Sequence, residues 1–207
     1  MVFGSLKKLS REDLLEEILF LKNTKQKGFP KGHKRAGERE GMWGPTFNFF
    51  LNDILRKNKN VAVLDLRMKE RETKTTINKK VLLRRIQKKT TPRFLILPVD
   101  KEKHFFSYLL DIESKIVRRI DLLSDPTQKG ISDRALMRIL GKTWSGVHPM
   151  PPRSRDAWYS GDCGPYVLYH VNRIIRNESL KNIDDKWTQK FRKKMGLFLE
   201  GTIEDWI

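Results

Sequence analysis

Apolar residues recur along much of the chain at helical spacing, about every third or fourth position. The first such stretch follows Ser10, whose hydroxyl is placed to cap a helix that opens with the acidic Glu12 and Asp13. The same spacing predicts four more helices, which begin near Pro45, cover 131–140, begin just after Cys163, and cover about 186–199. A weaker helical pattern lies at 81–86.

Runs of β-branched and aromatic residues predict four strands. They cover 60–66, 94–99, 105–112 and 116–123. The turn-like Glu113 and Ser114 separate the last two strands, so the final three are expected to form an antiparallel meander. If the hairpin turns there, Asp121 lies opposite Phe106 across the ladder. The Pro-rich stretch at 149–152 predicts a loop.

These elements predict an α+β domain in which helices flank a central, mostly antiparallel sheet. A chain of 207 residues is long enough for one domain with a real core and short for two independent ones. We therefore interpret 1–207 as a single domain. It carries a polar, glycine-rich and basic arm at about 22–44, expected to be flexible, and a second basic segment at about 67–90.

The charge of the chain is strongly positive. Lys and Arg number 43 against 25 Asp and Glu, a formal net charge of +18. Such a surface fits an acidic partner, with nucleic acid first and an acidic protein or anionic membrane after it. A solvated surface that only maintains solubility fits the charge equally well.

No stretch of the sequence predicts a membrane segment. Charges interrupt every apolar run near the N-terminus, unlike the core of a signal peptide, and nothing later approaches a membrane span. We expect a soluble, monomeric, intracellular protein with no membrane partner. This description includes the interior of a virus particle and the nucleus of a host cell.

The single cysteine is the first candidate for chemistry. One cysteine excludes an internal disulfide and a CxxC zinc or redox site, so no metal is expected. Cys163 stands in Gly-Asp-Cys-Gly-Pro, where Gly164 permits close backbone approach and Pro165 suits the first turn of a helix. The helix dipole there favours a thiolate nucleophile. A buried cysteine that only packs in the core is the competing interpretation.

A general base must come from one of four histidines. In the predicted hairpin His104 lies two residues from the position opposite Asp121, so this carboxylate can reach the imidazole and support its charge. The other three fit less well. His33 falls in the basic arm, His148 precedes a proline with no evident orienting acid, and His170 lies two turns along the helix from the cysteine.

Two segments resemble known proteases. The ubiquitin-like protein proteases and the adenovirus-type proteases are similar to this chain over FLILPVDKEKHFFSYLLDIESKIVRRIDLL and the later GDCGPYVLYHVNRII. In these families the active-site residues follow one another along the chain as His, then Asp or Glu, then Cys. The resemblance covers about 94–175. It depends on three features: the spacing in sequence between His104 and Asp121, Asp-Cys-Gly at 162–164 before a hydrophobic helix, and Pro98-Val99 at the end of the strand before the histidine.

This resemblance implies a papain-like cysteine protease fold with a catalytic triad of His104, Asp121 and Cys163. It also implies a substrate tunnel lined by Phe105, Trp158 and Gly164, although these families usually have a tryptophan in place of Phe105. Their oxyanion-hole glutamine, shortly before the cysteine, is replaced here by Asp156 and Ala157. An ionised aspartate cannot donate a hydrogen bond, so the Trp158 indole N–H, a backbone N–H or another residue of the loop takes its place, or the enzyme is impaired. The Cys163 backbone N–H can supply half of the oxyanion hole.

The leading hypothesis is a viral maturation protease, a cysteine endopeptidase that cleaves capsid or core precursors at glycine-containing sites. No cofactor is expected, and the need for a nucleic-acid or peptide activator stays open. Three alternatives stay open: a protease that removes ubiquitin or a ubiquitin-like modifier, an acetyltransferase with the same catalytic order, and a basic nucleic-acid-binding protein on an inactive protease scaffold.

Overall fold

The computed structural model describes residues 10–22, 44–64, 68–71, 74–88, 90, 92–101, 104–122, 130–150, 163–178 and 185–207. These residues divide between two compact units. The first, which we call the helical unit, comes from Met1–Arg56 and Arg153–Ile207, and the second, the sheet unit, from Lys57–Pro152. The interpretation of 1–207 as one domain stays a prediction. The basic arm at 22–44 lies outside the described residues apart from its two ends.

Four helices make up the described part of the helical unit. They are α1 (Arg11–Lys22), α2 (Gly44–Lys57), α5 (Cys163–Ile175) and α6 (Asp185–Glu200), with the last residue of α2 in the sheet unit. Ser10 caps α1 as expected, since its Oγ accepts from the Asp13 N–H at 3.0 Å and Asp13 Oδ2 accepts from the Ser10 N–H at 3.1 Å. All four helices were predicted.

Helices α1 and α6 pack closely because Gly196 has no side chain. A Cβ on Gly196 would lie 2.7 Å from Lys22 Cγ and 3.2 Å from the Lys22 backbone nitrogen. The buried Arg192 also donates from Nη2 to the Phe20 carbonyl at 2.6 Å. This contact satisfies one carbonyl in the last turn of α1, where the helix itself supplies no partner.

The sheet unit contains seven strands and two helices among its described residues. They are β1 (Val61–Val63), β2 (Met68–Arg71), β3 (Lys74–Thr76), α3 (Lys79–Gln87), β4 (Phe94–Lys101), β5 (His104–Asp111), β6 (Ile116–Ile120), α4 (Ile131–Leu140) and β7 (Val147–Pro149). The order is β3-β2-β4-β5-β6-β7, and β1 also pairs with β4. The central β4-β5-β6 meander is antiparallel as predicted, whereas β1, β2 and β7 each make a parallel pair.

One face of this sheet is covered by α3 and α4. Leu82 of α3 and Leu136 of α4 are fully buried against alternate residues of the meander. The sheet residues of this core are Leu95, Leu97, Val99, Phe106, Tyr108, Leu110 and Val117. Their alternation is what a strand with one face in the core requires.

Three expectations about strands were wrong. The strand predicted over 60–66 is limited to Val61–Val63, and the one over 116–123 ends at Ile120. The first residue of the predicted Pro-rich loop, Pro149, is instead the last residue of β7 and is paired in parallel with Arg119. Proline is tolerated there because β7 lies at the edge of the described sheet and needs no N–H donor on its outer side.

No helix among the described residues is long and apolar enough to cross a membrane.

Candidate active site

The cysteine opens helix α5 in the helical unit. Cys163 is the first residue of the helix and is 8% exposed, and Gly164 and Pro165 behind it are also buried. The helix was predicted to begin just after the cysteine and begins at it. This position directs the first-turn N–H groups and the positive end of the dipole toward the thiol region, which favours an anion there.

The histidine and the aspartate belong to the sheet unit. His104 is the first residue of β5 and its Cα is paired with that of Lys101. Asp121 is half-buried and follows directly after β6. The β5–β6 register pairs Ser107 with Ile120, so one further step puts Asp121 opposite Phe106, as the predicted turn at Glu113 and Ser114 requires. Pairing of β5 with β6 therefore places Asp121 and the His104 backbone at the same end of the hairpin.

Other predicted site residues are described only in part. Trp158 and Asp156 lie outside the described residues, so the second oxyanion donor stays a prediction. Phe105 lies on β5 with its Cα paired to that of Asp100, and nothing of its side chain is described. Gly164 is buried in the first turn of α5.

The described alternatives to His104 have ordinary structural roles. His170 is 4% exposed, and its Nδ1 lies 2.9 Å from the Tyr166 carbonyl, one turn earlier in α5. Burial lowers the pKa of His170 to about 4, so it is neutral at physiological pH. His148 is exposed on β7, with Nε2 3.2 Å from Ser145 Oγ. His33 lies outside the described residues.

A buried polar cluster beneath the hairpin was not predicted. Asp133, in the first turn of α4, accepts from Arg119 Nη1 at 2.5 Å, from Tyr108 Oη at 2.5 Å and from the Gly130 N–H at 3.1 Å. Ser132 Oγ lies 2.6 Å from Tyr108 Oη. We name these four side chains, Tyr108, Arg119, Ser132 and Asp133, the hairpin cluster.

The hairpin cluster is almost completely closed to water. The side chains of Arg119 and Asp133 are 6% and 5% exposed. Burial, followed by the neighbouring Asp133 carboxylate, raises the pKa of Tyr108 well above its usual value, so its hydroxyl stays protonated and donates. The sequence signal was the position of Arg119. It lies two residues after the core residue Val117, so its side chain is on the same, core-facing side of the sheet.

The sequence matches no protein-family model and no curated protein. Solved structures do match. SUMO protease Ulp1 with its catalytic cysteine oxidised to a sulfinic acid is 14% identical, with a TM-score of 0.59 over 94% of this chain and 97% of that chain. The C-terminal Ulp1 protease domain in complex with Smt3, the yeast ortholog of SUMO, is 14% identical with a TM-score of 0.60 over 94% and 96%.

The catalytic domain of the Ulp1-like SUMO protease of Chaetomium thermophilum is 11% identical, with a TM-score of 0.53 over 93% of this chain and 90% of that chain. At such low identity these matches concern the fold. The chain shares the fold of these SUMO protease catalytic domains, as the two resembling segments predicted.

Proposed function

We propose that the protein is a cysteine-type peptidase in which His104, Asp121 and Cys163 act together. The observation that carries the proposal is the position of Cys163 as the first residue of α5, on the fold of proteases that use a catalytic cysteine. The hairpin register supports it, because Asp121 and the His104 backbone share one end of β5 and β6.

The reaction would proceed in two steps. The Cys163 thiolate attacks a peptide carbonyl carbon, His104 gives a proton to the leaving amine, and a thioester forms. Water then gives a proton to His104 and adds to the thioester carbonyl, and the C–S bond breaks to release the carboxyl product and restore the Cys163 thiolate beside the protonated His104. Asp121 orients the imidazole and stabilises its charged form. The Cys163 backbone N–H and the Trp158 indole N–H are the proposed donors to the oxyanion.

A chain with one cysteine allows a direct test. Iodoacetamide adds mass only at Cys163, so its alkylation rate against pH measures how much thiolate is present. We expect His104→Ala and Asp121→Ala to slow the alkylation at neutral pH, because each removes a group that supports the thiolate in the proposed mechanism. His148→Ala, on an exposed histidine, is the matched control and should leave the curve unchanged. If all four proteins share one curve, the triad is wrong.

Two substrate classes compete for this site. Complex formation between the Ulp1 domain and Smt3 favours a ubiquitin-like modifier for this chain, with cleavage after its C-terminal glycine. The net charge of +18 favours the other class, capsid or core precursors of a nucleic-acid-filled particle. Propargylamide derivatives of SUMO and ubiquitin distinguish them: transfer of either to Cys163, abolished in Cys163→Ala, supports a modifier. Labelling by a Gly-Gly peptide electrophile without transfer of either protein supports precursor cleavage.

A nucleic-acid partner is supported by a specific surface. Helices α3 and α4 cover the same sheet face, and the basic residues on and beside them are exposed: Lys79, Lys80, Arg84, Lys88, Arg134, Arg138 and Lys142. The one acidic residue of the two helices, Asp133, is buried. We name this surface the basic face. Such a density of positive charge suits the phosphates of a nucleic acid.

Binding to a labelled 30-base-pair DNA at several salt concentrations tests the basic face. We expect Lys80→Ala/Arg84→Ala to weaken binding and to flatten the logarithmic salt slope by about 0.9 for each DNA phosphate that the variant no longer neutralises. Lys193→Ala/Lys194→Ala on α6 is the matched control, because it removes the same charge from exposed residues of the other unit. Equal weakening by the two variants would assign DNA binding to net charge alone.

A further inference from the structure

Helix α1 exposes two large apolar side chains at helical spacing. Among the described residues three large apolar side chains are exposed: Leu15 and Leu19 of α1, at 53% and 55%, and Val81 of α3, at 41%. The two leucines lie one turn apart. The exposed Glu12 is on the same side of α1, three residues before the first leucine and seven before the second. A single exposed leucine is ordinary, but two neighbours on one helix face form a surface that a partner can cover.

The charge of α1 is opposite to that of the chain. This helix contains four acidic and two basic residues, whereas the whole chain has a net charge of +18. Its acidic residues disfavour a nucleic acid or an anionic membrane as the partner of the two leucines, because phosphates repel carboxylates. A partner that fits this surface combines apolar side chains with positive charge.

Helix α3 has that complementary surface. Its exposed apolar residue, Val81, stands next to the exposed Lys80 and three residues before the exposed Arg84. Arg84 is within one turn of both, so the three side chains are neighbours on the helix surface. The helix has four basic residues and no acidic one. Each copy of the protein therefore carries an acidic apolar surface on α1 and a basic apolar surface on α3.

We propose that copies of this protein associate through these two surfaces, with α1 of one copy on α3 of another. Leu15 and Leu19 pack against the apolar residue of α3 and the aliphatic stems of its basic neighbours. Glu12 faces the basic side chains of α3. Because two different surfaces meet, the contact is heterologous. This inference does not depend on the proposed peptidase function, and it departs from the monomer expected from the sequence.

Sedimentation velocity over a concentration series measures the association. The protein is treated with nuclease first, since residual nucleic acid can also bridge basic proteins. Two small surfaces make a contact of the weak, transient class, so the sedimentation coefficient of the unmutated protein should rise at concentrations below about 1 mM. Leu15→Ser/Leu19→Ser changes exposed residues only, and should raise the dissociation constant at least about tenfold. Circular dichroism checks that the helices are retained.

Two results of this series overturn the inference. The first is an unmutated protein whose sedimentation coefficient stays constant up to about 1 mM, which leaves the two leucines to a different protein. The second is an equal rise in the unmutated protein and in the folded double variant, which assigns the association to another surface.

Charge reversals test which surfaces meet. Glu12→Lys makes both surfaces basic and Arg84→Glu brings a negative charge to face Glu12, so each variant alone should associate more weakly than the unmutated protein. In an equimolar mixture, each contact between unlike variants again pairs opposite charges. The dissociation constant should then return to within about threefold of the unmutated value. A mixture of folded variants that does not recover overturns the inference.

The direction of each change separates local pairing from net charge. Arg84→Glu lowers the positive charge of the chain, so repulsion between whole molecules predicts stronger association, whereas the proposed contact predicts weaker association. Glu113→Lys is the matched control for Glu12→Lys, because it makes the same reversal at a side chain that is 74% exposed in the sheet unit. It should leave association unchanged. Stronger association of Arg84→Glu, or equal weakening by Glu113→Lys and Glu12→Lys, would assign the effect to net charge and overturn the inference.

Discussion

The sheet unit and the helical unit each bury an aspartate, and the two carboxylates are neutralised in different ways. Asp133 pairs with an arginine that is as buried as itself. Asp53 of α2 is 5% exposed and accepts from the buried Trp206 indole N–H at 2.9 Å, but the arginine beside it, Arg56, has 56% of its side chain exposed. The first pair is closed to water, and the second keeps its cation in solvent.

This difference determines what happens when one partner is removed. Truncation of a buried ion pair leaves an uncompensated charge in a medium that solvates it poorly. When the cation is already in solvent, water takes over its solvation, and the loss is limited to the packing and hydrogen bonds of the buried partner. The free energy of unfolding should therefore fall more when Asp133 is removed from the sheet unit than when a partner of Asp53 is removed from the helical unit.

The largest effect should come from Asp133→Ala. Without the carboxylate the buried Arg119 guanidinium loses a buried anionic partner, so we expect the free energy of unfolding to fall by about 3–5 kcal/mol. Urea unfolding followed by circular dichroism measures it. Glu113→Ala is the matched control, since Glu113 also pairs with an arginine but has 74% of its side chain exposed, and its effect should be small. Equal effects of the two substitutions would remove the contrast between closed and open pairs.

A second effect concerns pH and belongs to the helical unit. Burial holds the pKa of His170 at about 4, below its ordinary value of 6.5. Between these values the unfolded chain binds a proton that the folded chain does not, so stability is complete above pH 6.5 and is lost as pH falls toward 4. The loss should reach about 3 kcal/mol, from roughly 1.4 kcal/mol for each pKa unit.

Urea unfolding between pH 7 and pH 4 measures this loss. His170→Gln should remove most of the pH dependence, whereas His148→Gln, on the exposed histidine, should leave it in place. An unchanged pH dependence in His170→Gln would assign it to other groups.

The smallest effect should come from Trp206→Phe. The change keeps an aromatic ring against Phe50, whose ring centroid lies 4.5 Å from that of Trp206, but removes the donor to Asp53. We expect a loss of about 1–3 kcal/mol, the usual result of leaving a buried acceptor short of one partner. Urea unfolding again measures it, with Phe49→Leu, a half-buried aromatic residue of the same helix α2, as a comparison that removes no hydrogen bond. A loss larger than that of Asp133→Ala would reverse the contrast between the units.

The hairpin of the proposed site could be predicted because its information is local. The apolar runs on either side of Glu113 and Ser114 set the turn, and the turn sets the register that places Asp121 opposite Phe106. The N-cap at Ser10 and the start of the helix at Cys163 could be predicted for the same reason, because the residues that determine them are neighbours in the sequence. Each depends on a few neighbouring residues.

The hairpin cluster and β7 could not be predicted in this way. Arg119 is buried where Asp133, fourteen residues later, meets it from α4. Strand β7 ends in proline and forms because β6 offers it a parallel edge. Both depend on tertiary contacts between residues distant in the chain.

Cys163 is the single cysteine of these 207 residues, and this has a consequence for oxidation. A thiolate that peroxide converts to a sulfenic acid is usually protected when a second thiol of the same protein condenses with it to a disulfide. Within this chain no second thiol exists, so recovery depends on a thiol supplied from outside, such as glutathione. Where that supply is exhausted, the next oxidation gives a sulfinic acid, and the loss of the proposed nucleophile becomes permanent.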